Sequence, residues 1–330
     1  MEKDQFRILV VGCGSIGQRH ARLLSRRKDV TLFIADPVLQ NREACKAAAN
    51  VQKEYADYTA ALSEGMDGVF VCVPDKLHVS VALNALNAGA CILCEKPVAP
   101  GVAEAEKLLA AERRVGRKVQ IGYMSRFNSQ LQFIKRMIDA GEFGNVAHIS
   151  TTVDSYVPLL FAKGNHRDTQ KWVIAGDYSH DIDMVQYLLG SIQTVAAFSG
   201  RLGALEHMPD PNVVQIMFRF QNGVIGGIGM DYIRLPGRRS MEIVGDKASA
   251  EFYFNDGEIR LSRRGSEYVE EYKIPFVRDD MFAAQIENFI GMIKGGNAPM
   301  TSLEEGIRDL KVSEAIVRSC VEGRFIDIEA

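Results

Sequence analysis

Phe6-Arg-Ile-Leu-Val-Val-Gly-Cys-Gly-Ser-Ile-Gly17 decides how this chain folds. From Ile8 to Val11 the residues are apolar and mostly β-branched, as in a strand buried on both faces of a parallel sheet. Gly12, Gly14 and Gly17 stand at G-x-G-x-x-G spacing, and a helical pattern opens at once with Ile16, His20, Leu23 and Leu24 on one side. The glycines permit a tight turn, close approach of backbone to a pyrophosphate, and close packing of helix on strand. Free N–H groups and the dipole at the helix start favour negative charge. Gly12, Gly14, Ser15, Ile16 and Gly17 are therefore the expected phosphate contacts.

Alone, that spacing is a weak signal; its surroundings strengthen it. A second strand, 30–35, ends in Asp36, about twenty residues past the last glycine, where an acid accepts hydrogen bonds from an adenosine ribose. A carboxylate there repels a 2′-phosphate, and Pro37-Val38 brings no arginine to offset it. The cofactor expected is NAD rather than NADP.

With 330 residues there is room for two domains. The net charge of −3 comes without a basic block, which argues against nucleic acid or an anionic membrane as partner. No apolar run reaches the roughly 20 residues that span a bilayer. Met1-Glu-Lys-Asp-Gln runs straight into the first strand, so no signal peptide is expected. Six scattered cysteines fit reduced thiols in the cytoplasm. Cys91 and Cys94 form a C-x-x-C without a second pair or a histidine cluster, so no metal site is expected.

Strand and helix alternate through residue 123. Strands are expected at 68–73, 90–94 and 118–122, and helices at 42–49, 76–88 and 102–115, with a weak segment up to Tyr58. That is the pattern of an α/β, Rossmann-type doubly wound parallel sheet, domain 1–123. The rhythm then changes. A helix at 128–140 and a strand at 146–156 precede a polar stretch, 163–171, and a helix from Asp177 to Leu189. Seven strands follow between 193 and 273, with turns at Gln221-Asn-Gly223, Asn255-Asp-Gly257 and Arg264-Gly265. Helices at 281–294 and 303–320 close the chain. Residues 124–330 thus read as an α+β domain with a large, mostly antiparallel open sheet.

Several motifs together resemble the Gfo/Idh/MocA family of nicotinamide-dependent oxidoreductases over essentially the whole length. They are Gly12-x-Gly14-x-x-Gly17, Val73-Pro74 with His78, Cys94-Glu95-Lys96-Pro97, Gly122-Tyr123-x-x-Arg126-Phe127 and Gly176-Asp177-Tyr-Ser-His180-Asp-Ile-Asp183. The resemblance implies that Lys96 contacts substrate and cofactor, that Pro97 follows a cis peptide, that His180 transfers the proton, and that the protein associates through its open sheet as a homodimer or homotetramer. Many members carry Asp four residues before the histidine; here Gly176 stands there and Asp177 comes three before.

Oxidising a carbinol needs a hydride acceptor and a base for the hydroxyl proton. Imidazole suits the base role because it titrates near neutral pH. On a helix Asp177, His180, Asp183 and Tyr187 share a stripe, so Asp177 could orient His180 or merely cap the helix. An ammonium at Lys96, on the ligand-binding edge of the sheet, would stabilise a developing alkoxide. Val73, Pro74, His78, Glu95 and Lys96 are expected beside the cofactor. Arg126, His166, Arg167, Asp177 and Asp183 are expected to hold a sugar-like substrate. His20, sharing a face with Ile16, Leu23 and Leu24, reads as a packed structural histidine. The uncharged strand 224–230, with Gly226, Gly227 and Gly229, suits an interface core. The reading is a dehydrogenase acting on a sugar, cyclitol or derivative. A reductase of a linear tetrapyrrole or an aromatic dihydrodiol would share the architecture. So would a non-catalytic redox sensor, which would need neither Lys96 nor His180.

Overall fold

The computed structural model describes residues 5–154, 172, 176–203 and 209–329. Two compact units emerge, one from Met1–Met124 with Arg278–Leu310, the other from Ser125–Val277 with Lys311–Ala330.

In the first unit, β1 (Phe6–Val11), β2 (Val30–Ala35), β3 (Lys53–Tyr55), β4 (Gly68–Val71), β5 (Cys91–Cys94) and β6 (Val119–Ile121) form a parallel sheet in the order β3-β2-β1-β4-β5-β6. The order reverses between β1 and β4, which is where such sheets bind ligands. The glycine pattern is a steric requirement. Gly12 has φ +93° and a Cβ there would lie 2.5 Å from the Cys72 carbonyl oxygen; one on Gly17 would lie 1.8 Å from that of Gly12. Gly14 has nothing within 4 Å and faces open space. Helix α1 (Ser15–Leu24) starts there, followed by α2 (Leu39–Ala48), α3 (Tyr58–Leu62), α4 (His78–Asn87) and α5 (Val102–Val115). Asp57 caps α3 by accepting from the Thr59 N–H, and Gly116, at φ 72°, ends α5. β3 was expected only as a weak segment. Three residues with Lys53 and Glu54 on an edge carry little apolar signal, and pairing with β2 makes the strand.

The simple division at 123/124 needs one correction. Helix α8 (Arg278–Ile293) and the start of α9 (Leu303–Glu322) pack in the first unit. Phe289 meets the Phe70 ring at 4.9 Å and Phe282 meets His20 at 5.2 Å, while Leu303 and Ile307 join the core that holds Val71 and Ile121. Gly68 makes room: a Cβ there would lie 2.7 Å from Phe289. Amphipathic spacing announces a buried helix face without saying which core it joins.

The second unit opens with α6 (Ser129–Asp139), capped by Asn128, which accepts from the N–H groups of Gln130 and Leu131. Its sheet contains β7 (Val146–Asp154), β8 (Ile192–Gly200), β9 (Val213–Phe220), β10 (Ile225–Asp231), β11 (Arg238–Gly245), β12 (Ala248–Tyr253), β13 (Glu258–Arg263), β14 (Val269–Lys273) and β15 (Ile326–Asp327). Their order is β14-β13-β12-β11-β7-β10-β9-β8-β15, antiparallel except between β10 and β7. One face forms the core with α6, α7 (Ser179–Leu189) and the later part of α9. The opposite face leaves Phe198 81% and Met217 69% exposed. Gly226 is not part of that open face. A Cβ on it would strike Phe218 at 2.4 Å and Ile149 at 2.7 Å, both core side chains, so this glycine serves the protein's own packing. Among the described residues no helix is long and apolar enough to cross a membrane.

Candidate functional site

In the first unit a cavity of about 820 Å³ lies at the carboxyl ends of β1, β2 and β4. Gly12, Gly14, Ser15, Ile16, Asp36, Val73 and Pro74, all singled out in the sequence as cofactor contacts, line it, and so do Asn41, Asp57 and Tyr58. The last three come from the polar starts of helices, and no spacing rule singles them out. Gly17 does not line the cavity; it packs against Gly12.

Asp36, 7% exposed, is fixed from its own side. Its Oδ2 accepts from the Cys13 N–H and its Oδ1 from the Val38 N–H, both at 2.8 Å. Asn41, another lining residue, donates to both carboxylate oxygens at a longer 3.3 Å, the contact that a diol hydroxyl would replace. The first unit therefore fits a dinucleotide: an open helix start for phosphates and a positioned acid for a ribose. Arg42 donates to the Asp36 carbonyl oxygen at 2.7 Å and lies 3.7 Å from Glu54.

The Glu95-Lys96-Pro97 turn follows β5, and the Lys96–Pro97 peptide is cis. Lys96 is half-buried. His78, expected beside the cofactor, is 2% exposed and places Nδ1 2.7 Å from the Pro97 carbonyl oxygen and Nε2 2.8 Å from that of Val73. Glu95 turns inward, with Oε1 2.8 Å from Nε2 of fully buried His20. The packed histidine of the sequence reading is thus a hydrogen-bond partner of the residue preceding Lys96; a separation of 75 positions hides this in the sequence.

All six cysteines are free thiols. Cys91 and Cys94 lie three apart on β5, so their side chains leave opposite faces and cannot close on one ion. Burial pushes the Cys72 and Cys94 thiols up, and Cys13 rises chiefly through its hydrogen bond with Cys45. These are inert thiols rather than nucleophiles.

In the second unit, His180 is the second residue of α7 and half-buried. Asp177, two residues before that helix, accepts from the Tyr232 hydroxyl at 2.5 Å. Asp181 pairs with Arg239 at 2.9 Å. Asp183 is fully buried and pairs with Arg126, itself 1% exposed: Nη2 lies 2.7 Å and Nε 2.9 Å from Oδ1. The Arg126 guanidinium also sits 5.0 Å from the centre of the Tyr187 ring. Asp177 thus lies outside the helix expected to carry it in one stripe with His180, and Asp183 and Tyr187 hold Arg126. Nearby, Tyr178 donates to the Asp231 carbonyl oxygen at 3.3 Å. The Asp154 carboxyl, in register with Asp231, is pushed up to about 6 by burial and by that second acid. His166 and Arg167 lie outside the described residues.

Comparison with known proteins bears on both units. A family model described as an oxidoreductase family with an NAD-binding Rossmann fold matches residues 6–123, and its companion, the C-terminal alpha/beta domain of that oxidoreductase family, matches 135–328. An inositol 2-dehydrogenase of Corynebacterium glutamicum is 25% identical over 237 residues, which are 68% of this chain and 66% of that protein. The myo-inositol 2-dehydrogenase of Thermotoga maritima is 24% identical over 341 residues, 98% of each chain. Among solved structures, an oxidoreductase from Agrobacterium radiobacter in complex with NAD⁺, L-tartaric acid and magnesium superposes with a TM-score of 0.89 at 16% identity, covering 98% of each chain. The myo-inositol 2-dehydrogenase of Lactobacillus plantarum superposes with a TM-score of 0.84 at 19% identity, covering 98% of this chain and all of the other.

Proposed function

The chain belongs to the Gfo/Idh/MocA oxidoreductase family, and from that premise we propose that it is an NAD-dependent dehydrogenase of a sugar, cyclitol or sugar derivative. The observation that carries this is the cavity whose open helix start faces Asp36, an acid already held by two backbone N–H groups. Bound there, the nicotinamide cofactor supplies the hydride acceptor. Lys96 polarises the reacting oxygen, and a charge placed for the developing alkoxide acts where it lowers the barrier. His180 takes the hydroxyl proton, and Asp177, held by Tyr232, is the acid that orients it. The inositol dehydrogenases among the relatives favour a cyclitol as the first substrate to try.

Following NAD⁺ reduction over a panel of inositols, polyols and sugars tests this reading. At least one should turn over, with kcat/KM for NAD⁺ about tenfold or more above that for NADP⁺, because a 2′-phosphate beside a fixed carboxylate costs on the order of 1 kcal/mol or more. Asp36→Ser should narrow the gap. NADP⁺ preference in the unaltered protein refutes the role of Asp36, and silence across the panel refutes the substrate class.

The protein also associates with itself through the open sheet face in this reading, as a homodimer or homotetramer. Support comes from Phe198 and Met217 standing exposed on adjacent strands, beyond the scattered apolar exposure that needs no explanation. Light scattering at micromolar concentration should give a multiple of 36.5 kDa; a monomer overturns it.

A further inference from the structure

Lys96 stands between two residues that are each tied to a buried histidine. On one side the Pro97 carbonyl oxygen lies 2.7 Å from Nδ1 of His78, whose Nε2 lies 2.8 Å from the Val73 carbonyl oxygen. On the other, Oε1 of Glu95 lies 2.8 Å from Nε2 of His20. His78 is 2% exposed and His20 fully buried.

The His78 geometry is demanding. A carbonyl oxygen only accepts, so a ring nitrogen that carries a proton donates to the carbonyl it faces. Buried at 2% exposure, the ring is held in one orientation between the two oxygens. It thereby ties the turn after β5 to the end of the strand segment that lines the cofactor cavity, since Val73 is a lining residue. The His20 arm is equally confined. Its ring packs between Phe70 at 5.0 Å and Phe282 at 5.2 Å. Gly122 is needed because a Cβ there would lie 2.9 Å from the Glu95 Cα and 3.0 Å from Oε2.

We propose that His78 and His20 are positioning residues for Lys96: the first holds its ring between the Pro97 and Val73 carbonyl oxygens, the second holds the Glu95 carboxylate, and together they fix the backbone from which the lysine projects. Neither touches the substrate. The inference rests on the catalytic reading of Lys96, and matters because misplacing a catalytic group by an ångström costs on the order of 10²-fold.

The test compares Lys96→Ala, His78→Leu and the double variant in the full-length protein. His78→Leu should lower kcat by about tenfold or more while both KM values stay within about threefold, because the cavity lining is left in place. In the Lys96→Ala background the same substitution should lower the residual kcat no further, since residues acting as a unit are not additive. A general loss of folding would instead multiply the two effects. If Lys96→Ala is nearly fully active, the catalytic reading itself fails and this inference with it. If Lys96→Ala is crippled but His78→Leu is normal, or their losses multiply, the clamp is wrong and the reading of Lys96 stands. A second measurement needs no variant. Nitrogen-edited NMR of the histidine-labelled protein should show a His78 ring N–H held in slow exchange with water, and fast exchange overturns the clamp.

Discussion

Replacing His180 by Asn is expected to lower kcat by about 10²–10⁴-fold, the range that removal of a general acid–base group commonly costs. Asparagine keeps a hydrogen-bonding side chain of similar reach but cannot take up the proton, so the loss isolates proton transfer from simple contact. In the oxidative direction kcat/KM of the unaltered enzyme should rise with pH as the imidazole loses its proton, then level off. The substitution should remove that limb. Cofactor binding should survive, because every residue lining the dinucleotide cavity belongs to the first unit while His180 belongs to the second. Lys96→Ala should hurt comparably through lost charge stabilisation. Lys96→Arg should not restore activity, since the broad guanidinium does not reproduce a compact ammonium. Near-normal turnover of the His180→Asn protein, with the acidic limb intact, would assign the proton elsewhere. Asp177 is the next candidate: it is a half-buried acid three residues before His180 that accepts from the Tyr232 hydroxyl.

What could be read in advance divides by the range of the interaction. The glycine pattern was legible because its cause is local. Gly12 and Gly17 are demanded by backbone within the same strand–turn–helix unit and its neighbouring strand. The strands between 193 and 273 were legible because alternate burial has a period of two, as β9 shows from Val213 to Phe220. Partnerships across long stretches of chain were not. Nothing at His20 announces Glu95, and nothing in α8 announces that Phe282 and Phe289 cover the first unit's sheet. The same limit explains Gly226. Its place in an uncharged strand suggested a surface for another subunit, whereas the clash that excludes a side chain there comes from Phe218 and Ile149 across two strand pairings.

Arg126→Met is expected to destabilise the protein by about 3–5 kcal/mol, the cost of leaving a buried charge without its partner. The spacing of Arg126 after the last strand of the first domain suggested a substrate contact, but its guanidinium is 1% exposed and meets an Asp183 carboxylate that is fully buried. Methionine keeps much of the apolar stem and removes the charge that sits over the Tyr187 ring. Asp183 must then take up a proton or draw in water, either of which weakens the anchoring of α7, the helix that carries His180. Adding Asp183→Leu removes the stranded acid and should recover most of the loss, since a buried ion pair replaced by apolar groups of similar volume is often neutral or stabilising. Lysine at position 126 should recover less, because its compact ammonium does not reproduce the planar guanidinium whose Nε lies 2.9 and 3.2 Å from the two Asp183 oxygens. Urea unfolding of the four proteins decides the matter. If Arg126→Met unfolds within about 1 kcal/mol of the parent yet raises KM for the substrate tenfold or more, the pair is not structural and Arg126 faces the ligand in solution. If stability falls and the double substitution restores it, Arg126 acts on the reaction only by holding in place the helix on which the base stands.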